Sequence, residues 1–251
     1  MKLAARTIGA AGTPRGSARA EYAYEAIRLE LLEGALAPGD KLSVIDLAAQ
    51  LQCSRVPIME ALKRLEREEL VTIVPQVGCR VVTPGIADVA DFFVLFAAVE
   101  AAVTALAAER RAADDIVRFR ALCRDIDAAL ASAGGPAAHD PSYRRLNLRF
   151  HGEIHAMARS PVASKMAAAL WDRSDFYIKM VFGSLYFSRR VIRSHRDIRR
   201  AVINGDPAAA DAAVRSHLQR VGNAVTERMA AGTSTGPRGT DPAEHEPDPP
   251  T

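Results

Sequence analysis

Residues 38–70 read PGDKLSVIDLAAQLQCSRVPIMEALKRLEREEL, and this stretch decides the fold. Two short helices joined by a tight turn are predicted, the second opened by Ser54-Arg55-Val56-Pro57. Proline suits the first turn of a helix, because the N–H that it lacks would have no intrahelical partner there. Ile58, Ala61, Leu62 and Leu65 then recur at i, i+3, i+4 and i+7, which makes one buried stripe. Met59, Lys63, Arg64 and Arg67 fall toward the other side, with Arg55 just ahead of them. A short helix packed on one face and basic on the other has the geometry of a DNA recognition helix. A plainer reading of the same residues stays open: a solvated face for Lys63, Arg64 and Arg67, and for Arg55 an ion pair that pins the turn.

Working outward, Tyr24, Ile27 and Leu31 mark a first amphipathic helix that stops near Gly34, and Ala37-Pro38-Gly39-Asp40 is a turn. Ser43 with Asp46 three residues on is a variant of the capping box and opens a helix that runs through Leu51. Beyond the recognition helix, Leu70-Val71-Thr72-Ile73-Val74, Pro75-Gln76-Val77-Gly78 and Cys79-Arg80-Val81-Val82 read as a hairpin whose wing carries Gly78 and Arg80. Three helices plus a hairpin make a winged helix-turn-helix over residues 20–83. Thr83-Pro84-Gly85 is a domain boundary, and residues 84–230 read as helical and Ala-rich. Gly134-Gly135-Pro136, Arg159-Ser160-Pro161 and Asn204-Gly205-Asp206-Pro207 divide this region into six or seven helices of an all-α antiparallel bundle. The fold class is therefore mainly α.

A chain of 251 residues with 49% hydrophobic content can bury two modest cores. Its formal charge of +3 is too small to argue for nucleic acid. Residues 1–19 carry Lys2, Arg6, Arg15 and Arg19 without an acid, and residues 231–251 are rich in Pro, Gly and Thr; both read as disordered arms. From Glu21 to Thr83 there are seven Lys/Arg and ten Asp/Glu, a balance of −3. Phosphate attraction therefore depends on where Arg55, Lys63, Arg64, Arg67 and Arg80 stand, not on bulk charge. Cys53, Cys79 and Cys123 have no metal or redox spacing and fit a reducing compartment. The N-terminus lacks the apolar core of a signal peptide, which points to the cytoplasm. The apolar run 92–108 is interrupted by Glu100 and slightly short for a bilayer, so it reads as a buried helix and no membrane partner is expected.

The residues Tyr24…Ile27-Arg28, Gly34…Leu36…Pro38-Gly39-Asp40…Leu42, Leu47-Ala48, Ser54-Arg55…Pro57…Glu60-Ala61-Leu62…Leu65-Glu66 and Gly78 resemble the GntR superfamily of bacterial transcription regulators. Asn147-Leu148-Arg149-Phe150-His151, His195-Arg196-Asp197-Ile198, Gly205-Asp206 and Ser216-His217-Leu218 are similar to the FCD effector domain of its FadR-like branch. The resemblance implies a homodimer on double-stranded operator DNA, with Ser54, Arg55, Lys63, Arg64, Arg67, Gly78 and Arg80 at the interface. Three departures stand out. Met59 and Ile45 replace basic DNA-contact residues of relatives, which implies an unusual operator preference or weaker binding; loss of DNA binding is the further alternative. Glu69 stands where a Gly is usual. Phe96, Ala97 and Ala98 precede Glu100 where relatives often carry an Arg, which implies a different or more apolar ligand.

Asn147 and His151 share a helical face, and His195 and His217 lie on two later helices. Three imidazoles and an oxygen can converge in a bundle core and suit zinc, nickel or ferrous iron. Spacing alone is weak evidence; the resemblance strengthens it, because relatives place an Asp or Asn and three His at these positions. Asn147 is a neutral ligand, which lowers cation affinity and favours an anion on the metal. His155 reads as a packing or surface residue. Arg199, on the His195 face, either clamps a carboxylate effector or pairs with a neighbouring acid. Trp171 and Tyr177 line the effector pocket or simply pack. The reading is an effector-gated repressor or activator responding to a small carboxylate; the alternatives are a metal-dependent hydrolase-like enzyme and a regulator with a purely structural metal.

Overall fold

In the computed structural model, residues 16–74, 78–132, 141–182 and 189–234 are described. The first unit runs α1 (Gly16–Leu32), β1 (Lys41–Leu42), α2 (Val44–Gln50), α3 (Arg55–Arg67), β2 (Val71–Val74) and β3 (Gly78–Val81). The Ser43 hydroxyl accepts the Asp46 N–H at 3.2 Å and caps α2. Ile58, Ala61, Leu62 and Leu65 of α3 are fully buried, as their period requires, with Pro57 beside them in the first turn. In the wing, Val71 pairs with Val81, Thr72 with Arg80 and Ile73 with Cys79. A strand absent from the sequence reading, β1, joins the other side of β3 through Lys41–Arg80 and Leu42–Cys79, giving the order β1-β3-β2. Two residues are too few for alternation to show. The wing tip at 75–77, the break at 134–136, and the ends up to 15 and beyond 234 lie outside the described residues. Helix α1 starts inside the stretch read as the basic arm, and α9 extends into the one read as tail.

Six helices follow among the described residues: α4 (Ile86–Arg110), α5 (Ala113–Ser132), α6 (Pro141–Met157), α7 (Pro161–Phe182), α8 (Arg189–Asn204) and α9 (Pro207–Ser234). Asp206 caps α9 by accepting the Ala209 N–H at 2.9 Å. Helix α4 is central and packs on α6, α7, α8 and α9. It approaches α9 closely at Gly222, where a Cβ would stand 2.6 Å from Phe93 Cβ. It is the one described helix long and apolar enough to cross a membrane, yet Val89, Phe92, Phe93 and Phe96 on its inner side are core residues. Its outer side leaves Val94 and Leu95 64% and 66% exposed.

The boundary at 83–85 divides the chain in composition but not in packing. One apolar cluster runs from Ile27, Leu31 and Leu62 through Phe92, Phe93 and Phe96 to Trp171, Tyr177 and Leu218. Edge-to-face pairs, Phe92–Tyr177 at 5.0 Å and Phe96–Trp171 at 5.1 Å, stitch α4 to α7. Two ion pairs extend the join: Asp172 accepts from Arg28 of α1, and Arg173 pairs with Glu69 at the end of α3. A second cluster, with Phe119, Phe150, Ile154, Ile198 and Val214, fills the far part of the bundle.

Candidate metal centre and nucleic-acid interface

Three helices of the bundle deliver the histidines: His151 from α6, His195 from α8 and His217 from α9. One ligand nitrogen from each lies within 4.8 Å of the others. Their rings are neighbours, with centroids 4.7 Å apart for His195–His217, 5.5 Å for His151–His195 and 6.2 Å for His151–His217. Phe150 packs on His195 at 5.0 Å and Trp171 on His151 at 4.2 Å, so the cluster sits where the two cores meet. Asn147, one turn before His151, is buried and its Oδ1 has no hydrogen-bond partner; neither nitrogen of His151 has one.

Unsatisfied buried polar atoms each cost about 1–3 kcal/mol, so a group of them on one buried helix face calls for a ligand. A metal fits this donor set. Two nitrogens bound to one tetrahedral zinc stand about 3.4 Å apart at the usual Zn–N length, so side-chain shifts of about 1 Å separate this arrangement from a closed site. Burial pushes all three imidazoles toward their neutral, metal-ligating form, with the neighbouring imidazoles adding to the effect at His151 and His217; His195 is pushed down to about 4. His217 is oriented by the Ser194 hydroxyl, 2.8 Å from Nδ1, which leaves Nε2 to ligate.

Sequence reasoning missed Ser194 and the role of Glu100. Glu100 is fully buried; its Oε1 accepts from Trp171 Nε1 at 2.8 Å and lies 2.8 Å from His155 Nε2, while Oε2 is 3.8 Å from His151 Nδ1. His155 is thus a specific partner of Glu100, not a surface residue. Among the expected effector residues, Trp171 alone is shown touching the histidines. Tyr177 packs against Phe92, and Arg199 pairs with Asp127 at 2.8 Å, the salt-bridge outcome.

Ser54, the N-cap of α3, and Arg55, Lys63 and Arg67 on the helix are exposed, and Gly78 and Arg80 are exposed on the wing. Arg80 is steadied by donating to the Gly39 carbonyl at 3.1 Å. Arg64 is engaged elsewhere: its guanidinium lies 3.5 Å from the Tyr24 ring centre and pairs with Glu21 at 2.8 Å and Glu68 at 3.4 Å. It holds α1 on α3.

The profile described as "Bacterial regulatory proteins, gntR family" matches residues 19–81, and that of the FCD domain matches residues 91–220. The chain belongs to the GntR family. An HTH-type transcriptional regulator in an unstable DNA locus of Streptomyces ambofaciens is 31% identical over 215 residues, 83% of this chain and 85% of that one. The HTH-type transcriptional repressor RspR of Escherichia coli K12 is 25% identical over 204 residues, 81% of this chain and 87% of its own. Escherichia coli McbR/YncC shares the fold, with a TM-score of 0.69 at 20% identity over 84% of this chain and 98% of that chain. The GntR regulator is thus a DNA-binding transcription regulator with an FCD domain, and its relatives lend the enzyme reading no support.

Without metal, the histidines make stability depend on pH. Unfolded, they titrate near 6.5; folded, they resist protonation, so below about pH 6.5 the unfolded state binds more protons and stability falls as pH drops. His195 alone contributes a loss of about 2 kcal/mol between pH 6.5 and 5. Urea unfolding in chelator should show a lower midpoint at pH 5 than at pH 7, with a smaller drop in His195→Asn. Equal midpoints would contradict it.

Proposed function

We propose that this GntR regulator is a cytoplasmic, homodimeric repressor of a palindromic operator, gated by a small organic acid at a divalent transition-metal centre. The observation that carries this is the double attachment of α7. Trp171 rests on His151, and the next two residues grip the winged helix through Arg28 and Glu69. A shift of His151 therefore reaches α1 and the end of α3 through one rigid helix. A coupling of about 1–3 kcal/mol changes DNA occupancy about 5- to 150-fold.

Asn147, His151, His195 and His217 would hold the metal, which supplies a positive centre able to accept a carboxylate. Two observations favour this acceptor. Arg199 is already paired with Asp127, and of Phe96, Ala97 and Ala98, which stand where relatives often carry an Arg, Phe96 packs on Trp171. The aromatic wall suits an acid with an apolar body. Repression is supported by the names of the Escherichia coli relatives RspR and GlaR. Trp171 is the only tryptophan in the chain. Zinc should therefore change its emission saturably at one equivalent, and His195→Ala should abolish the change; no response with no heat of binding would sink the metal reading.

DNA contact is assigned to Ser54, Arg55, Lys63 and Arg67 on α3 and to Gly78 and Arg80 on the wing. Val56 and Ile45, 66% and 60% exposed, add apolar edges suited to thymine methyl groups. On a duplex from upstream of its own gene, Arg55→Ala and Lys63→Ala should each weaken binding and lower the salt slope by about one. Arg64→Ala should leave that slope intact and lower stability instead; equal slope losses for all three would return Arg64 to the interface.

The exposed apolar side of α4 favours a two-fold contact between copies, since an isologous interface matches a patch to itself. Leu95→Lys should convert the dimer to a monomer in sedimentation and reduce operator affinity. A variant dimer as stable as wild type would place the interface elsewhere.

A further inference from the structure

We infer that Glu100 is the positioning partner and counter-charge of the metal centre, supplying from outside the ligand set the negative charge that Asn147 does not provide. The inference rests on the metal reading above. Glu100 is 0% exposed in the middle of the apolar helix α4. A carboxylate removed from water in this way is costly unless its charge is matched and both oxygens are satisfied. Here only Oε1 is satisfied, by the Trp171 indole and His155. Oε2 has no partner and stands 3.8 Å from His151 Nδ1, itself without one. Among the described residues the ion pairs of Glu100 are with His151 and His155, and none is with Lys or Arg.

The two orphan atoms complement each other once His151 ligates through Nε2. Its Nδ1 then carries the proton, and Glu100 Oε2 is the carboxylate oxygen that stands beside it. A carboxylate behind a ligating imidazole fixes the tautomer, orients the ring and raises its basicity. The effect matters more here than at a site with an Asp ligand. Asn147 and three neutral imidazoles leave a divalent ion with its full charge, and Glu100 lowers the local total to +1 without occupying a ligand position. Positions on the metal stay available to an anion. Glu100 Oε1 also holds the Trp171 indole, so the residue that steadies His151 also holds the start of the α7 connection.

The test is zinc titration of the full-length protein by calorimetry with chelator competition, on wild type, Glu100→Gln, Asn147→Asp and the double variant. Gln keeps the shape and an acceptor for Trp171 while removing the charge. Glu100→Gln should bind zinc about 10- to 100-fold more weakly, with a metal-free melting temperature no lower than wild type. Adding Asn147→Asp should restore the affinity by returning the charge to the ligand set, which a purely structural role for Glu100 would not produce. Wild-type-like affinity in Glu100→Gln, or no recovery in the double variant, overturns the inference. Absence of zinc binding by wild type overturns the metal reading and this inference together, whereas normal wild-type binding with an indifferent Glu100→Gln overturns this inference alone. A second readout needs no variant: nitrogen NMR of zinc-loaded wild type should show His151 protonated at Nδ1 with a low-field, slowly exchanging proton. A ring protonated at Nε2 would overturn the assignment.

Discussion

The hydrogen bond from the Trp171 indole to Glu100 ties α7 to α4 at the level of the histidines, and the rest of the molecule is arranged around that tie. On one side of it lie Phe92, Phe93, Phe96 and the winged helix; on the other lie Phe150, Ile154, Ile198 and the far bundle. A bond of this kind, to a charged acceptor, is worth about 1.5–3 kcal/mol, and breaking it leaves His155 as the remaining partner of that buried carboxylate oxygen. The helical bundle and the winged helix consequently share one packed core, and α7 has little freedom to move independently of either.

The contacts at the DNA-binding end of α7 are of a different kind. The Arg28–Asp172 and Arg173–Glu69 pairs are partly exposed, and pairs of this class contribute about 1 kcal/mol or less. Weak, adjustable contacts suit a coupling element better than a rigid weld, since a coupling must be reversible by a ligand. Glu69 also adopts a φ of 56°, where glycine is the easier residue. Placing a glutamate there strains the turn, and its side chain reaches the helix that touches the His cluster. The departure from the usual glycine thus acquires a physical reason in this chain.

Much of the architecture was legible in the sequence because it is written in short-range terms. The stripe Ile58-Ala61-Leu62-Leu65, the Ser43 cap and the Asp206-Pro207 helix start all involve residues within one or two turns of each other. Strand β1 was not legible, since two residues form a strand only when β3 lies beside them. The same limit applies to the site. The four-residue spacing of Asn147 and His151 is local, but convergence with His195 and His217 depends on how three helices pack, and the family resemblance supplied it. Glu100 looked like an interruption in an apolar run because its partners lie 55 and 71 positions away. Arg64 and Arg199 looked available for ligands because their partners, Tyr24 with Glu21 and Asp127, lie on other helices. Charge type is visible in a sequence; what a charge faces is not.

Under the proposed gating, the state of the histidine cluster sets the affinity of the winged helix for DNA. Fluorescence anisotropy on a labelled duplex from upstream of the protein's own gene tests it most directly, comparing saturating zinc with EDTA in wild type and in Arg173→Met. A midpoint shift of about 5- to 150-fold is expected in wild type, and a much smaller one in Arg173→Met although that variant still binds zinc. Identical DNA affinity with and without zinc, in wild-type protein shown by calorimetry to be fully loaded, would contradict gating by the histidine cluster.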